Sequence, residues 1–282
     1  MLNVFYLLAI IVGVSGQNIV KKPYTQKVGG GGVYFFNAVL SGAALLFFVV
    51  TSSEFHFNLS FVPYSIGFAA SYAVSSVFMV LAIAYGSLSL TSLFISYSLM
   101  IPTFYGLMIG DTVGSGFLPG IGLLVVSIFL TNKRNEKTKI SFKWIVCVVL
   151  SFVGNGMCTV VQKMQQVAFN GAYKNEFMII ALAVVTVVML TLSVFKEGKA
   201  IVRYAKSGWY LAVICGALNG MVNLFVMLLS GRMAVSIMFP LISAGGLVVT
   251  YIVSRFFYKE KLTKLQFVGF VLGLSAVVFL NI

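Results

Sequence analysis

The chain has 282 residues, 60% of them hydrophobic and only 9% charged, with a mean hydropathy of +1.04. Too little polar surface remains for a soluble globule of this size, so the composition implies an integral membrane protein. The formal net charge of +13 comes from cations that punctuate apolar runs, and no basic and aromatic constellation of a nucleic-acid module is present.

Ten apolar segments follow one another, near 4–20, 33–51, 63–85, 88–110, 114–131, 144–166, 175–195, 208–229, 234–257 and 264–281. Each is long enough to cross a bilayer as a helix at about 1.5 Å per residue. Lipid-facing backbone must be satisfied within a helix or a closed barrel, and the alternation of a barrel strand is missing. The first segment has no basic start and no cleavage motif, so it is expected to be retained. The polar stretch NKRNEKTKISFK (132–143) is the natural hinge between two halves, 1–132 and 133–282. The second long polar stretch is KEGKAIVRYAKSG (196–208).

The fifth and tenth segments share a pattern. Asp111 precedes Asn132 by 21 residues, Glu260 precedes Asn281 by the same 21, and Gly120 and Gly269 fall at the same offset between them. Two copies of an odd number of helices must enter the membrane from opposite sides. The expected fold is therefore all-α, ten transmembrane helices arranged as two inverted five-helix repeats. Sixteen of the 19 Lys and Arg residues fall in odd-numbered loops, leaving Lys163, Lys174 and Arg232 on the other side. The positive-inside rule then puts both termini outside the plasma membrane.

The closing stretch YKEKLTKLQFVGFVLGLSAVVFLN (258–281) resembles the end of an EamA-type domain of the drug/metabolite transporter superfamily. Glu260, Leu262, Thr263, Gln266, Gly269 and Gly273 carry the resemblance. In the first half Asp111 stands for the usual Glu, Phe117 takes the place of the Gln, and Pro102 and Pro240 are displaced from the family's proline position. The resemblance implies a ten-helix solute carrier. The superfamily's small multidrug exporters use a buried glutamate in their first helix, and the first segment here has no acid. That disfavours a proton-coupled exporter of organic cations or drugs.

Enzyme motifs fail on inspection. The GVSG stretch (13–16) would need a base, and the one histidine, His56, lies between segments two and three. MIGD (108–111) has Met where an intramembrane aspartyl protease needs Gly. Cys147, Cys158 and Cys215 have no paired-ligand spacing, so neither a metal site nor any other cofactor is expected. The sequon at Asn58 matters only in a secretory pathway.

Polar groups inside the spans are costly unless they face the bundle interior or water. Gln17, Asn18, Lys21, Asn37, Tyr97, Asn155, Gln162, Lys163, Asn219 and Asn223 form that set. Taken singly, each fits interhelical hydrogen bonding or snorkelling. Together they suggest a solute pathway, with Gly216, Asn219, Gly220 and Asn223 on one face of their helix and Lys21 and Lys163 suited to a carboxylate or phosphate. The expected function is secondary transport of a small polar metabolite (an amino acid, organic acid or nucleotide-like solute) by alternating access. The partners are that solute and the lipid bilayer, with a homodimer open as the assembly. A non-transporting receptor or scaffold with the same fold is the rival.

Overall fold

A computed structural model describes residues 2–52, 55–108, 114–132, 141–170, 172–230, 235–259 and 262–279. Asp111, Glu260 and Asn281, three anchors of the internal repeat, lie outside these residues. Eleven α-helices are present among them: α1 (Leu2–Val28), α2 (Val33–Thr51), α3 (Val62–Tyr85), α4 (Leu88–Ser96), α5 (Met100–Met108), α6 (Phe117–Asn132), α7 (Phe142–Ala168), α8 (Lys174–Glu197), α9 (Ile201–Ser230), α10 (Val235–Phe256) and α11 (Lys264–Phe279). The fold is all-α. Among the described residues, five helical stretches are long and apolar enough to cross a membrane: Asn3–Val28, Val33–Thr51, Leu59–Tyr85, Phe142–Ala168 and Lys174–Val226. The last of these contains α8 and most of α9. Apolar side chains such as Val12, Leu46, Val187 and Phe195 stay exposed on the outside, as a multi-pass membrane protein requires.

The helices pack in pairs that cross the middle of the chain. α1 lies against α9, α2 against α8, α3 against α7, α4 against α10, and α6 against α11. Small residues allow the closest approaches. A side chain at Gly216 of α9 would strike the backbone carbonyl of Leu40 on α2 and the methyl of Ala43, and one at Gly220 would strike the ring of Phe47. Gly154 on α7 is pressed against the backbone of Ser71 and Ser75 in the same way. Ser75 Oγ donates to the Ser151 carbonyl at 3.3 Å and Ser151 Oγ returns a bond to the Ser75 carbonyl at 3.0 Å. The α3–α7 seam is thereby fixed in register.

Several local features differ from the sequence expectation. α1 runs to Val28, well beyond the expected end near residue 20, so Lys21, Lys22 and Lys27 are helical rather than loop residues. Pro23 sits inside it. A helical proline leaves the carbonyl four residues back without its N–H donor. That carbonyl, of Ile19, accepts the Tyr258 hydroxyl at 3.1 Å, so the defect is repaired from the far end of the chain. The segment expected over 88–110 is split into α4 and α5 by a 3₁₀ turn at Tyr97–Leu99. The second polar stretch is largely helical, because α9 begins at Ile201 and is interrupted only at Gly208.

Two capping arrangements explain conspicuous polar residues. Thr263 and Gln266 form a capping box at the start of α11: Gln266 N donates to Thr263 Oγ1 at 3.2 Å, and Thr263 N donates to Gln266 Oε1 at 3.1 Å. Glu197, at the end of α8, accepts the backbone N–H groups of Tyr34 and Phe35, both at 2.9 Å, and the hydroxyl of Ser193 at 2.8 Å. A carboxylate at the N-terminus of α2 satisfies two orphan donors and complements the helix dipole. Glu197→Gln replaces one acceptor with a donor facing another donor. We expect it to destabilise the fold by about 1–3 kcal/mol, read as a lowered melting temperature of the purified protein; an unchanged value would remove the cap from the account.

Candidate functional site

A cavity of about 310 Å³ lies between α1, α3, α4, α7, α9 and α10. Each wall is one helical stripe. α1 contributes Ile10, Val14, Gln17, Asn18 and Lys21, whose spacing of three and four keeps them on one face. α9 contributes Asn219, Val222, Asn223 and Val226 by the same rule, and α7 contributes Asn155, Cys158, Thr159 and Gln162. Between the polar groups the walls are apolar or aromatic, including Phe68 and Tyr72 of α3 and Ile242 of α10. A mostly apolar enclosure with a few placed polar groups is the usual build of a small-molecule site.

The polar groups are organised in short chains. Asn219 Nδ2 donates to Gln17 Oε1 at 3.0 Å, joining α9 to α1. Asn223 Nδ2 donates to the Asn219 carbonyl at 2.8 Å and to Asn219 Oδ1 at 3.2 Å. On the opposite wall Asn155 Nδ2 donates to Ser98 Oγ at 2.7 Å, and Asn18 Nδ2 reaches Ser92 Oγ at 3.5 Å. Among the described residues, none that lines the cavity is acidic. The described acids are engaged elsewhere, Glu197 at α2 and Glu176 with the backbone N–H of His56 at 3.2 Å. Among the described residues no cluster of His, Cys, Asp or Glu could hold a metal ion.

Of the ten residues singled out in the sequence, seven line this cavity: Gln17, Asn18, Lys21, Asn155, Gln162, Asn219 and Asn223. Three do not. Asn37 is buried in α2 and donates to its own helix at the Val33 carbonyl, 2.9 Å away. Tyr97 turns toward α6, where its hydroxyl meets Ser127 Oγ at 2.7 Å, and Ser127 in turn donates to the Gly269 carbonyl at 2.6 Å. Lys163 follows Gln162 by one position and is absent from the lining, because a single residue turns a helix by about 100°. The face expected to hold Gly216, Asn219, Gly220 and Asn223 together is divided, its glycines against α2 and its asparagines toward the cavity. Sequence inspection missed Tyr72, Ser75, Ser76, Ser92, Thr159 and Ser243. Hydroxyls are common in apolar helices, bonding to their own backbone, and carried no distinguishing signal.

No family model matches the chain, and no curated protein matches it. Among solved structures, a crystal structure of a protein gives a TM-score of 0.65 at 12% sequence identity, covering 98% of this chain and 95% of its own. At that identity the likeness concerns the fold alone.

Proposed function

We propose that this chain is a secondary transporter of a small polar solute, working by alternating access in a plasma membrane. The observation that carries the reading is the cavity, walled by polar stripes on helices from both halves of the chain. Helix pairing supports two five-helix repeats, 1–132 and 133–282, when α4 and α5 are counted as one span, and the odd number of spans in each argues that they are inverted. Exchanging the first five spans for the last five turns the α1–α9 pair into α7–α3 and maps the α2–α8, α4–α10 and α6–α11 pairs onto themselves. Such repeats place a solute site at their interface near the middle of the bilayer. The EamA-like closing hairpin agrees with this reading, and the capping box gives its Thr and Gln a structural reason. A cavity with a lysine and, among the described residues, no lining acid argues against export of organic cations.

The test is counterflow of labelled polar metabolites in proteoliposomes of purified protein. Saturable counterflow of at least one solute is expected. Binding without flux across a wide panel, from protein shown to be folded, would favour a receptor instead. The bias of Lys and Arg toward the odd-numbered connections and the helix ends beside them supports both termini outside; a terminal tag reached by impermeant label only after permeabilisation would reverse that orientation.

A further inference from the structure

Three lysines lie within two turns of α1, and two of them have structural partners. Lys22 Nζ donates to the carbonyls of Ile83 at 3.4 Å and Gly86 at 3.1 Å, where the C-terminal end of α3 favours a cation. Lys27 is exposed, donates to the Ser207 carbonyl at 3.3 Å and stands 5.9 Å from the ring centre of Tyr210. Lys21 is different. It lines the cavity, is only 8% exposed, and forms no hydrogen bond or ion pair among the described residues. A charge this buried needs water or a counter-ion, and among the described residues no carboxylate lines the cavity to supply one.

Gln17 completes the picture. It sits one turn before Lys21 on the same face of α1, so the two side chains start about 5–6 Å apart. Its Oε1 is held by Asn219 Nδ2 at 3.0 Å, which orients the amide. The Gln17 NH₂ group forms no bond among the described residues and retains both hydrogens for the cavity. An ammonium and an amide NH₂, carried one turn apart by two residues that line the same space, match the two oxygens of one carboxylate.

We infer that the cavity is a site for a small organic monoanion, with its carboxylate held by Lys21 and Gln17 and a hydroxyl- or amide-bearing remainder held by Asn223, Asn155 and the neighbouring serines. The inference rests on the proposed transport site for its setting and goes further by naming the solute class. Among the described lining residues, one cation and no acid match a single negative charge; a zwitterion would bring an ammonium with no described carboxylate to meet it. The volume, about 310 Å³, lies at the small end of the range for small-molecule sites and suits a compact solute.

A matched four-carbon series tests this with the purified full chain: threonate (monoanion), threonine (zwitterion), erythritol (neutral) and threoninol (cation), flanked by the smaller glycerate and larger gluconate. Binding is measured by calorimetry and by thermal stabilisation, and flux separately by counterflow. At least one of the three monoanions is expected to bind, and threonate to bind more tightly than threonine, erythritol and threoninol. Lys21→Gln should weaken threonate binding by about ten- to hundredfold, from the loss of a charge-assisted contact, and leave any weak erythritol binding unchanged. Lys21→Arg should retain part of the affinity. Gln17→Glu offers the ammonium an internal partner, so it should remove anion binding while keeping the protein folded, which guards against a Lys21→Gln variant that fails to fold. The inference is overturned if none of the monoanions binds, if threonine or threoninol binds as well as threonate, or if Lys21→Gln or Gln17→Glu binds threonate with unchanged affinity. Threonate binding without counterflow would overturn the transport reading alone.

Discussion

Asn219→Leu is expected to lower counterflow of the preferred solute by about ten- to hundredfold while the protein stays folded. Asn219 is the hub of the α1–α9 wall, donating to Gln17 Oε1 and accepting from Asn223 Nδ2. Leucine is close in size and cannot do either. Gln17 is then free to rotate its amide, and Asn223 loses one acceptor while keeping the Asn219 backbone carbonyl. Each lost hydrogen bond contributes about 0.5–1.5 kcal/mol, and a solute group left unpaired in the cavity costs about 1–3 kcal/mol more. At about 1.4 kcal/mol per tenfold, the combined effect lands in the stated range. The fold should tolerate the change because these amides border a cavity rather than solid packing. Counterflow and melting temperature measured side by side decide it; equal losses in both would make Asn219 a scaffold residue, and normal counterflow would remove the wall from the site.

Gly216→Val should produce the largest structural effect, a near-complete loss of folded protein. The added carbons would meet the Leu40 carbonyl oxygen and the Ala43 methyl across the α2–α9 contact. A flexible side chain could move aside, but a backbone carbonyl inside a helix cannot. Overpacking typically costs about 1–3 kcal/mol and occasionally more, and this site should exceed that range because two whole helices must separate. Gly122→Ala is the control, since nothing lies within 4 Å of a side chain there. Monodisperse yield from size-exclusion chromatography is the readout. A well-behaved Gly216→Val protein would show that α2 and α9 do not pack as closely as described.

Helices were legible in the sequence wherever an apolar run was long, because lipid leaves the backbone few alternatives. The last two turns of α1 were not. KKPYTQKV looks like a polar loop around a proline, and it stays helical because Tyr258, 239 residues from Ile19, accepts the role of the missing donor. Glu197 was equally opaque: as a loop acid it looks solvated, and its N–H partners at Tyr34 and Phe35 lie more than 160 residues earlier. Residue types of the cavity could be recognised from the cost of amides and lysines inside apolar spans. Direction could not. Gln162 lines the cavity and Lys163 does not, and only the packing of α7 against α3 decides which of the two faces inward.

If the chain transports as proposed, Lys21, the one lysine among the described lining residues, would also make it sensitive to voltage. With a monoanion seated on Lys21 the site would be electrically neutral as it reorients; empty, it would carry one positive charge. Moving one charge across the full membrane is worth about 2.3 kcal/mol per 100 mV. A membrane potential would therefore leave the exchange of bound solute for bound solute almost untouched and act on the return of the empty carrier. With the cytoplasm negative, it would draw the empty cavity toward the inside face. Net flux and exchange would thus respond differently to an imposed potential, and a single buried ammonium would set which limb of the cycle the cell's electrical gradient controls.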